Sequence, residues 1–229
     1  AMKMVASAKL HKAQGAIENM LPYQRKLNKI LTNFLSADLP IESPYIKARE
    51  VKRVAIVAFS SNTSLCGAFN ANVIKMLLQT VGEFRTLGQD NILIFPVGKK
   101  VDEAAKRLGF QPQETSATLS DKPSYQEASE LAHRLMKMYI AGEIDRVELI
   151  YHHFKSMGVQ ILLRETYLPI DLTHLVDGEE KEKEEVQGGE IANDYIIEPS
   201  AEELIANLIP TVLSQKLFTA AVDSNASEH

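Results

Sequence analysis

The sequence predicts an α/β fold: a Rossmann-like sheet with flanking helices, plus an antiparallel two-helix coiled coil formed by the N- and C-terminal segments. Three observations predict it. Between residues 51 and 169, β-branched apolar runs alternate with segments patterned as helices, the texture of a mostly parallel sheet covered on both faces. Two strand runs late in that region are separated only by Ser156-Met157-Gly158, which reads as a hairpin and therefore as an antiparallel addition. The two ends of the chain carry apolar residues at alternating steps of three and four.

The elements follow in order. Leu10, Ala13, Ile17, Met20, Gln24, Leu27, Leu31 and Phe34 form a heptad seam over residues 1–35. A helix of that length spans roughly 52 Å, longer than a small domain is wide. Pro22 removes one backbone donor and predicts a kink, because the seam resumes in register beyond it. Ser36 to Pro44 reads as a polar break.

VKRVAIVAF (51–59) is a buried strand, SSNTSLCG a turn and ANVIKMLLQTVGEF an amphipathic helix. NILIFPVG is a second strand and VDEAAKRLG a short helix closed by Gly109. SYQEASELAHRLMKMYIAG is a longer helix closed by Gly142. Residues 145–154 and 159–169 are the hairpin strands. An acidic loop at 177–190 precedes the short strand NDYIIEP. Ser200 then opens a long helix, with Glu203 completing a capping box. Leu204, Leu208, Val212, Gln215, Phe218 (or Thr219) and Val222 continue it at helical spacing. The predicted organisation is a coiled-coil helix over 1–35, an α/β domain over 36–199, and the start of the second coiled-coil helix over 200–229. The two end segments are expected to lie alongside one another as a rigid shaft outside the sheet.

Composition narrows the function classes. The net charge is −5, against the basic balance of a general nucleic-acid binder, although residues 1–35 hold six lysines and arginines against Glu18 alone. One cysteine, Cys66, excludes an internal disulfide. No apolar run approaches the ~18 residues needed to span a bilayer.

The one loop shaped like an active site is SSNTSLCGAFN, between a strand and a helix, where phosphates often bind. It lacks both GxxxxGK[ST] and GxGxxG. Cys66 reads either as an activated nucleophile or as a small buried thiol. His152 and His153 are strand neighbours that point to opposite faces and cannot chelate one ion together. His133 and His174 are isolated, so no metal or cofactor is predicted.

The combined motifs carry a resemblance that covers the whole chain. AMKMVASAKLHKAQ resembles the N-terminal helix of the gamma subunits of rotary (F-type) ATP synthases, with their A-M-x-M-V-A-x-x-K run. Pro22-Tyr23, SPYIKAREVKRV, Ser64-Leu65-Cys66-Gly67-Ala68-Phe69-Asn70, Tyr195-Ile196-Ile197-Glu198-Pro199 and Ala226-Ser227-Glu228-His229 match the same family in the same order. Asn62-Thr63-Ser64 stands where that family usually has Asp-Arg-Gly, and Ala68 where it has a second glycine.

The resemblance implies an axle of the central stalk that transmits torque between the proton-driven c ring and the catalytic ring of alpha and beta subunits, with no catalytic site, cofactor or metal of its own. It implies that Met2, Lys3, Lys9 and Lys12 face the alpha/beta ring. Tyr195, Ile197 and Glu198 would form the foot near the c ring and the epsilon subunit. Ser64, Leu65, Cys66, Gly67 and Asn70 would form a domain loop without an assigned role. It further implies truncation at both ends, membrane contact only through the complex, and a peripheral position on the cytoplasmic face of a bacterial plasma membrane. The residues alone leave a rival open: a small-molecule-binding or hydrolytic α/β domain using the 60–70 loop. They also predict that the last helix stops at Asp223-Ser224-Asn225, since these residues disfavour helix interiors, whereas the resemblance predicts that it continues.

Overall fold

The computed structural model describes residues 43–63, 67–116, 118–171 and 201–228, with positions 12, 15, 25, 26, 29 and 33 besides. The element order is β1 (Val54–Phe59), α1 (Ala68–Glu83), β2 (Ile92–Val97), α2 (Lys99–Arg107), α3 (Thr118–Asp121), α4 (Tyr125–Ile140), β3 (Arg146–Ser156), β4 (Val159–Leu168) and α5 (Ala201–Glu228). The four strands form one sheet in the order β2-β1-β3-β4. β1 runs parallel to both β2 and β3, and β4 returns antiparallel along β3 through Met157-Gly158. The parallel sheet with a late antiparallel hairpin is therefore the arrangement that the sequence predicts.

Strand alternation divides the core in two. Ala55, Val57, Phe59, Phe95, Val97, Val147 and Leu149 face one layer, made by Leu131, Leu135 and Tyr139 of α4 and by α5. Val54, Ile56, Ala58, Ile92, Ile94 and Ile150 face the other, made by Val73 and Leu77 of α1 and Val101 and Ala105 of α2. A register shift between Val147 and Glu148 leaves Tyr167 as an extra residue on β4. Tyr167 and Leu168 thus both turn inward, and the Tyr167 hydroxyl donates 2.6 Å to the Leu213 carbonyl of α5.

Three elements differ from expectation. The first helix begins at Ala68, three residues before its apolar pattern starts, and the single turn α3 was hidden by its four-residue length. The larger correction concerns α5. It does not stand outside the sheet: Ile209, Val212, Leu213, Leu217, Ala220 and Ala221 are part of the sheet's own core, packed beside α4. The physical reason is that α5 is buried around much of its circumference: Val212 of the predicted seam belongs to the sheet core, and Leu208 and Phe218 of that seam pack against it. Gln215 lies two residues beyond Leu213 and Val222 two beyond Ala220, so each is turned by roughly 200° around the helix. Both are nevertheless buried, at 6% and 2% exposure, although neither belongs to the sheet core. α5 is therefore covered at Gln215 and Val222 as well as on its sheet-facing side.

The helix also passes through Asp223-Ser224-Asn225 without a break. These residues cost about 0.5–0.7 kcal/mol each relative to alanine in a helix interior. Each is offset by a tertiary hydrogen bond. Asp223 Oδ2 meets His153 Nδ1 at 2.9 Å, and Ser224 Oγ accepts the His152 N–H at 3.1 Å. Asn225 Nδ2 donates 2.9 Å to the Ser120 carbonyl.

Candidate functional site at the carboxyl edge of the parallel strands

In open α/β sheets, ligands bind beyond the carboxyl ends of the strands, against helix N-termini. Here that edge is built from the loop after β1, the start of α2, α3 and the end of α5. Asn70, in the first turn of α1, staples the loop: its Oδ1 accepts the Ser61 N–H at 2.9 Å, while Nδ2 donates to Ser61 Oγ at 2.8 Å and to the Thr63 carbonyl at 3.0 Å. A short amide beside a serine-rich turn is the signal that could have assigned it this task in advance. Gly67 precedes α1 with φ +55°, a left-handed conformation that glycine adopts without strain.

The N-terminal amides of α2 are all taken by the chain itself. Lys99 N–H donates to Asn62 Oδ1 at 2.9 Å, Lys100 N–H to the Ser61 carbonyl at 3.2 Å, and Val101 N–H to Ser60 Oγ at 3.0 Å. Ser120 Oγ of α3 donates 2.5 Å to the Ser60 carbonyl, and Asn225 of α5 holds α3 from above. The amides at the start of α2 are thus committed to internal hydrogen bonds. Asn62 supplies the side-chain acceptor at the start of α2.

Two histidines flank this edge in opposite states. His152 is buried, stacked on Phe69 with ring centroids 4.2 Å apart, and its Nδ1 has no hydrogen-bond partner among the described residues. Burial lowers its pKa from 6.5 to about 4. His153, on the other face, is raised chiefly by its hydrogen bond to Asp223, against an opposing effect of burial. The unfolded chain therefore takes up the His152 proton first, and His152 weakens folding as pH falls from about 6.5 to about 4. The full cost is about 3 kcal/mol. The half-exposed His153 contributes in the opposite sense: its small stabilisation is complete below its unfolded pKa and is lost as pH rises through its raised folded value. His152→Leu is expected to flatten the acid limb of a melting-temperature profile between pH 7 and pH 4; an unchanged slope would place the acid sensitivity elsewhere.

A buried carboxylate also escaped the sequence reading. Glu148 on β3 accepts from Arg146 Nε at 2.6 Å and Thr166 Oγ1 at 2.9 Å, with Arg164 Nε at 3.5 Å. Two guanidiniums make it a structural anchor for the edge strand rather than a free acid or base. Among the described residues, no group of three or more His, Cys, Asp or Glu side chains could hold a metal ion, and no helix is long and apolar enough to cross a membrane.

The family model for ATP synthase matches residues 1–229. The chain is 94% identical, over its full length, to the ATP synthase gamma chain of Bacteroides thetaiotaomicron, and spans 77% of that relative. The chain belongs to the ATP synthase gamma-chain family. The gamma chain of Bacteroides fragilis is 74% identical and that of Phocaeicola vulgatus 59%, each over the whole of this chain. In fold, the chain is similar to one from the central stalk and c ring of the Tetrahymena thermophila mitochondrial ATP synthase, with a TM-score of 0.63 at 20% identity. That match covers 100% of this chain and 92% of the other. Its function class is that of a gamma chain, the rotor subunit of the central stalk and a component of the ATP synthase complex.

Lys12 is helical and exposed, as are Arg25, Lys26 and Lys29, which puts these four cations off any buried seam. Met2, Lys3 and Lys9, the loop residues Ser64, Leu65 and Cys66, and Tyr195, Ile197 and Glu198 lie outside the described residues. The strand NDYIIEP and the acidic loop 177–190 do so too. Gly67 and Asn70 are brought together at the carboxyl edge, where their task is to fix the loop.

Proposed function

We propose that the chain acts as a non-catalytic axle, transmitting torque between a c ring and a ring of alpha and beta subunits. The observation that carries this reading is the 94% identity to a curated gamma chain along the entire sequence. The described part of the carboxyl edge supports it, since Ser60, Ser61, Asn62 and Asn70 are engaged in internal hydrogen bonds.

In this reading residues 1–35 pair antiparallel with α5. The heptad seam from Leu10 to Phe34 would supply the cover over Gln215 and Val222, the face of α5 turned away from the sheet. The division into a coiled-coil helix over 1–35, an α/β domain over 36–199 and a second coil helix from 200 then stands, with one amendment: α5 serves the domain and the coil at once. A shaft seated on the sheet in this way is stiffer at its base than one joined by a loop, because bending it strains a packed core.

Met2, Lys3, Lys9 and Lys12 would face the alpha/beta ring. Exposed ion pairs there are worth about 0–1 kcal/mol each, enough to guide a moving surface without locking it. Tyr195, Ile197 and Glu198 would form the foot on the c ring and epsilon subunit, and the subunit would sit peripherally on the cytoplasmic face of a bacterial plasma membrane. Reversing the charge of Lys3, Lys9 and Lys12 in the assembled motor is expected to reduce the protons pumped per ATP hydrolysed, with the melting temperature of the isolated subunit unchanged. A large loss of stability with normal coupling would make those lysines structural instead.

A further inference from the structure

One stripe of α5 faces the β3–β4 hairpin, and on it the contacts are directional. Leu213, Lys216, Ala220 and Asp223 follow at steps of three, four and three, so they share one side of the helix. The Leu213 carbonyl accepts the Tyr167 hydroxyl, and Asp223 Oδ2 meets His153 Nδ1 at 2.9 Å. Between them, Lys216 Nζ lies 2.6 Å from Glu165 Oε2 of β4 and donates 3.1 Å to the Tyr151 hydroxyl of β3. That hydroxyl donates in turn to Glu165 Oε1 at 3.0 Å, which closes a triangle. Burial and the adjacent Glu165 carboxylate hold the Tyr151 phenol above its ordinary pKa of 10, so it remains a donor near neutral pH. Tyr151 is buried, whereas Lys216 and Glu165 are about a third exposed. Lys216 thus bonds both strands of the hairpin at once.

Apolar burial holds α5 on the sheet but sets its angle less sharply. Ile209, Val212, Leu217, Ala220 and Ala221 gain by leaving water, an effect without direction, and the two alanines offer little for a neighbour to catch. A hydrogen bond, by contrast, weakens steeply once its distance or angle leaves the optimum. We propose that Lys216, seated on Glu165 and Tyr151, is a torsional key: it fixes the rotational setting of α5 on the hairpin and carries load between shaft and domain. It is a positioning residue. It contributes little to folding, because a part-exposed ion pair is weakened by solvent and by the ordering of two long side chains. The key rests on the axle reading and names where in the chain torque crosses from helix to sheet.

The test uses the assembled motor, the complete gamma chain with alpha and beta subunits, and a bead fixed to the exposed outer face of α1. With the ring held by a non-hydrolysable ATP analogue, thermal fluctuation of the bead reads the torsional stiffness between shaft and domain. Lys216→Met keeps the apolar stem and loses the charge, while Tyr151→Phe loses only the hydroxyl. Each is expected to widen the angular variance roughly 1.5–2-fold, and the double variant no further than Lys216→Met alone, because both remove parts of one directional contact. Lys216→Arg keeps the charge and the donors and is expected to match the parent. The melting temperature of the complete chain is expected to change little in all of them. Parental variance in both Lys216→Met and Tyr151→Phe overturns the key. So does a large fall in melting temperature, or failure of both variants to assemble, since either outcome would make the cluster part of folding. A parent motor that does not rotate under ATP would instead overturn the axle reading, and the key with it.

Discussion

Gly98→Ala is expected to unfold the domain, or to lower its stability by about 4 kcal/mol or more. Gly98 links β2 to α2 with φ +115°, a conformation that side chains with a Cβ rarely adopt. Space is the larger obstacle. A Cβ at this position would overlap the Ser60 carbonyl oxygen and lie 2.5 Å from Ser60 Oγ. Neither group can yield freely, because Ser60 N–H is bonded to the Val97 carbonyl at 2.8 Å and its own carbonyl receives the Ser120 hydroxyl. Relief requires moving β1 from β2, and with them the start of α2. Chemical denaturation checks this: a midpoint within experimental error of the parent would show that the β1–β2 exit is looser than these contacts imply.

Asp145→Ala is expected to cost about 2–3 kcal/mol, the scale for removing a buried charged acceptor from several hydrogen-bond donors; Arg49, a third exposed, is left solvated rather than buried. Asp145 closes the amino edge of the sheet as Asn70 closes the carboxyl edge. Its Oδ2 accepts the N–H groups of Lys52 and Arg53 at 2.9 and 3.0 Å, and its Oδ1 accepts Arg49 Nε at 2.9 Å. Arg49 also donates 2.6 Å to the carbonyls of Tyr139 and Ile144 and lies 4.1 Å over the Tyr139 ring. Removing the carboxylate therefore unseats the approach to β1 and the turn after α4 together.

Burial alone would raise the Asp145 pKa, but the two backbone donors and Arg49 outweigh it and hold the carboxyl below its usual value. Its stabilisation is present above the unfolded pKa near 4 and is lost as pH falls through the lower folded value. Asp145→Asn keeps an acceptor but loses the charge, so it should fall between the parent and the alanine variant. Equal effects of the two substitutions would show that geometry rather than charge holds the junction.

Much of this fold was legible because β1 and β2 are uninterrupted β-branched runs, and a strand buried on both faces leaves no other reading for VAIVAF. The hairpin was legible because Ser156-Met157-Gly158 leaves too little chain for anything else. What escaped was decided by tertiary partners. Asp223, Ser224 and Asn225 read as a helix end until His153, the His152 backbone and Ser120 are placed against them. The double-faced burial of α5 escaped because Ala220 and Ala221 carry little hydrophobic signal, yet allow the helix to sit close to the sheet. At the carboxyl edge, the sequence located the loop but not its staple. Asn70 was one residue of a motif until its amide was seen to bond Ser61 and Thr63. The identity itself was legible only through the ordered set of motifs, since composition and spacing alone left a ligand-binding domain open.

The central claim, that this chain turns within a catalytic ring and catalyses nothing itself, is tested most directly by reconstituting the complete gamma chain with its alpha and beta subunits and following single-molecule rotation under ATP. The account predicts that the ring assembles around it and drives stepwise rotation, while the chain alone shows no ATP turnover. Turnover by the isolated chain that is abolished by Cys66→Ser, with no rotation in the reconstituted complex, would contradict it.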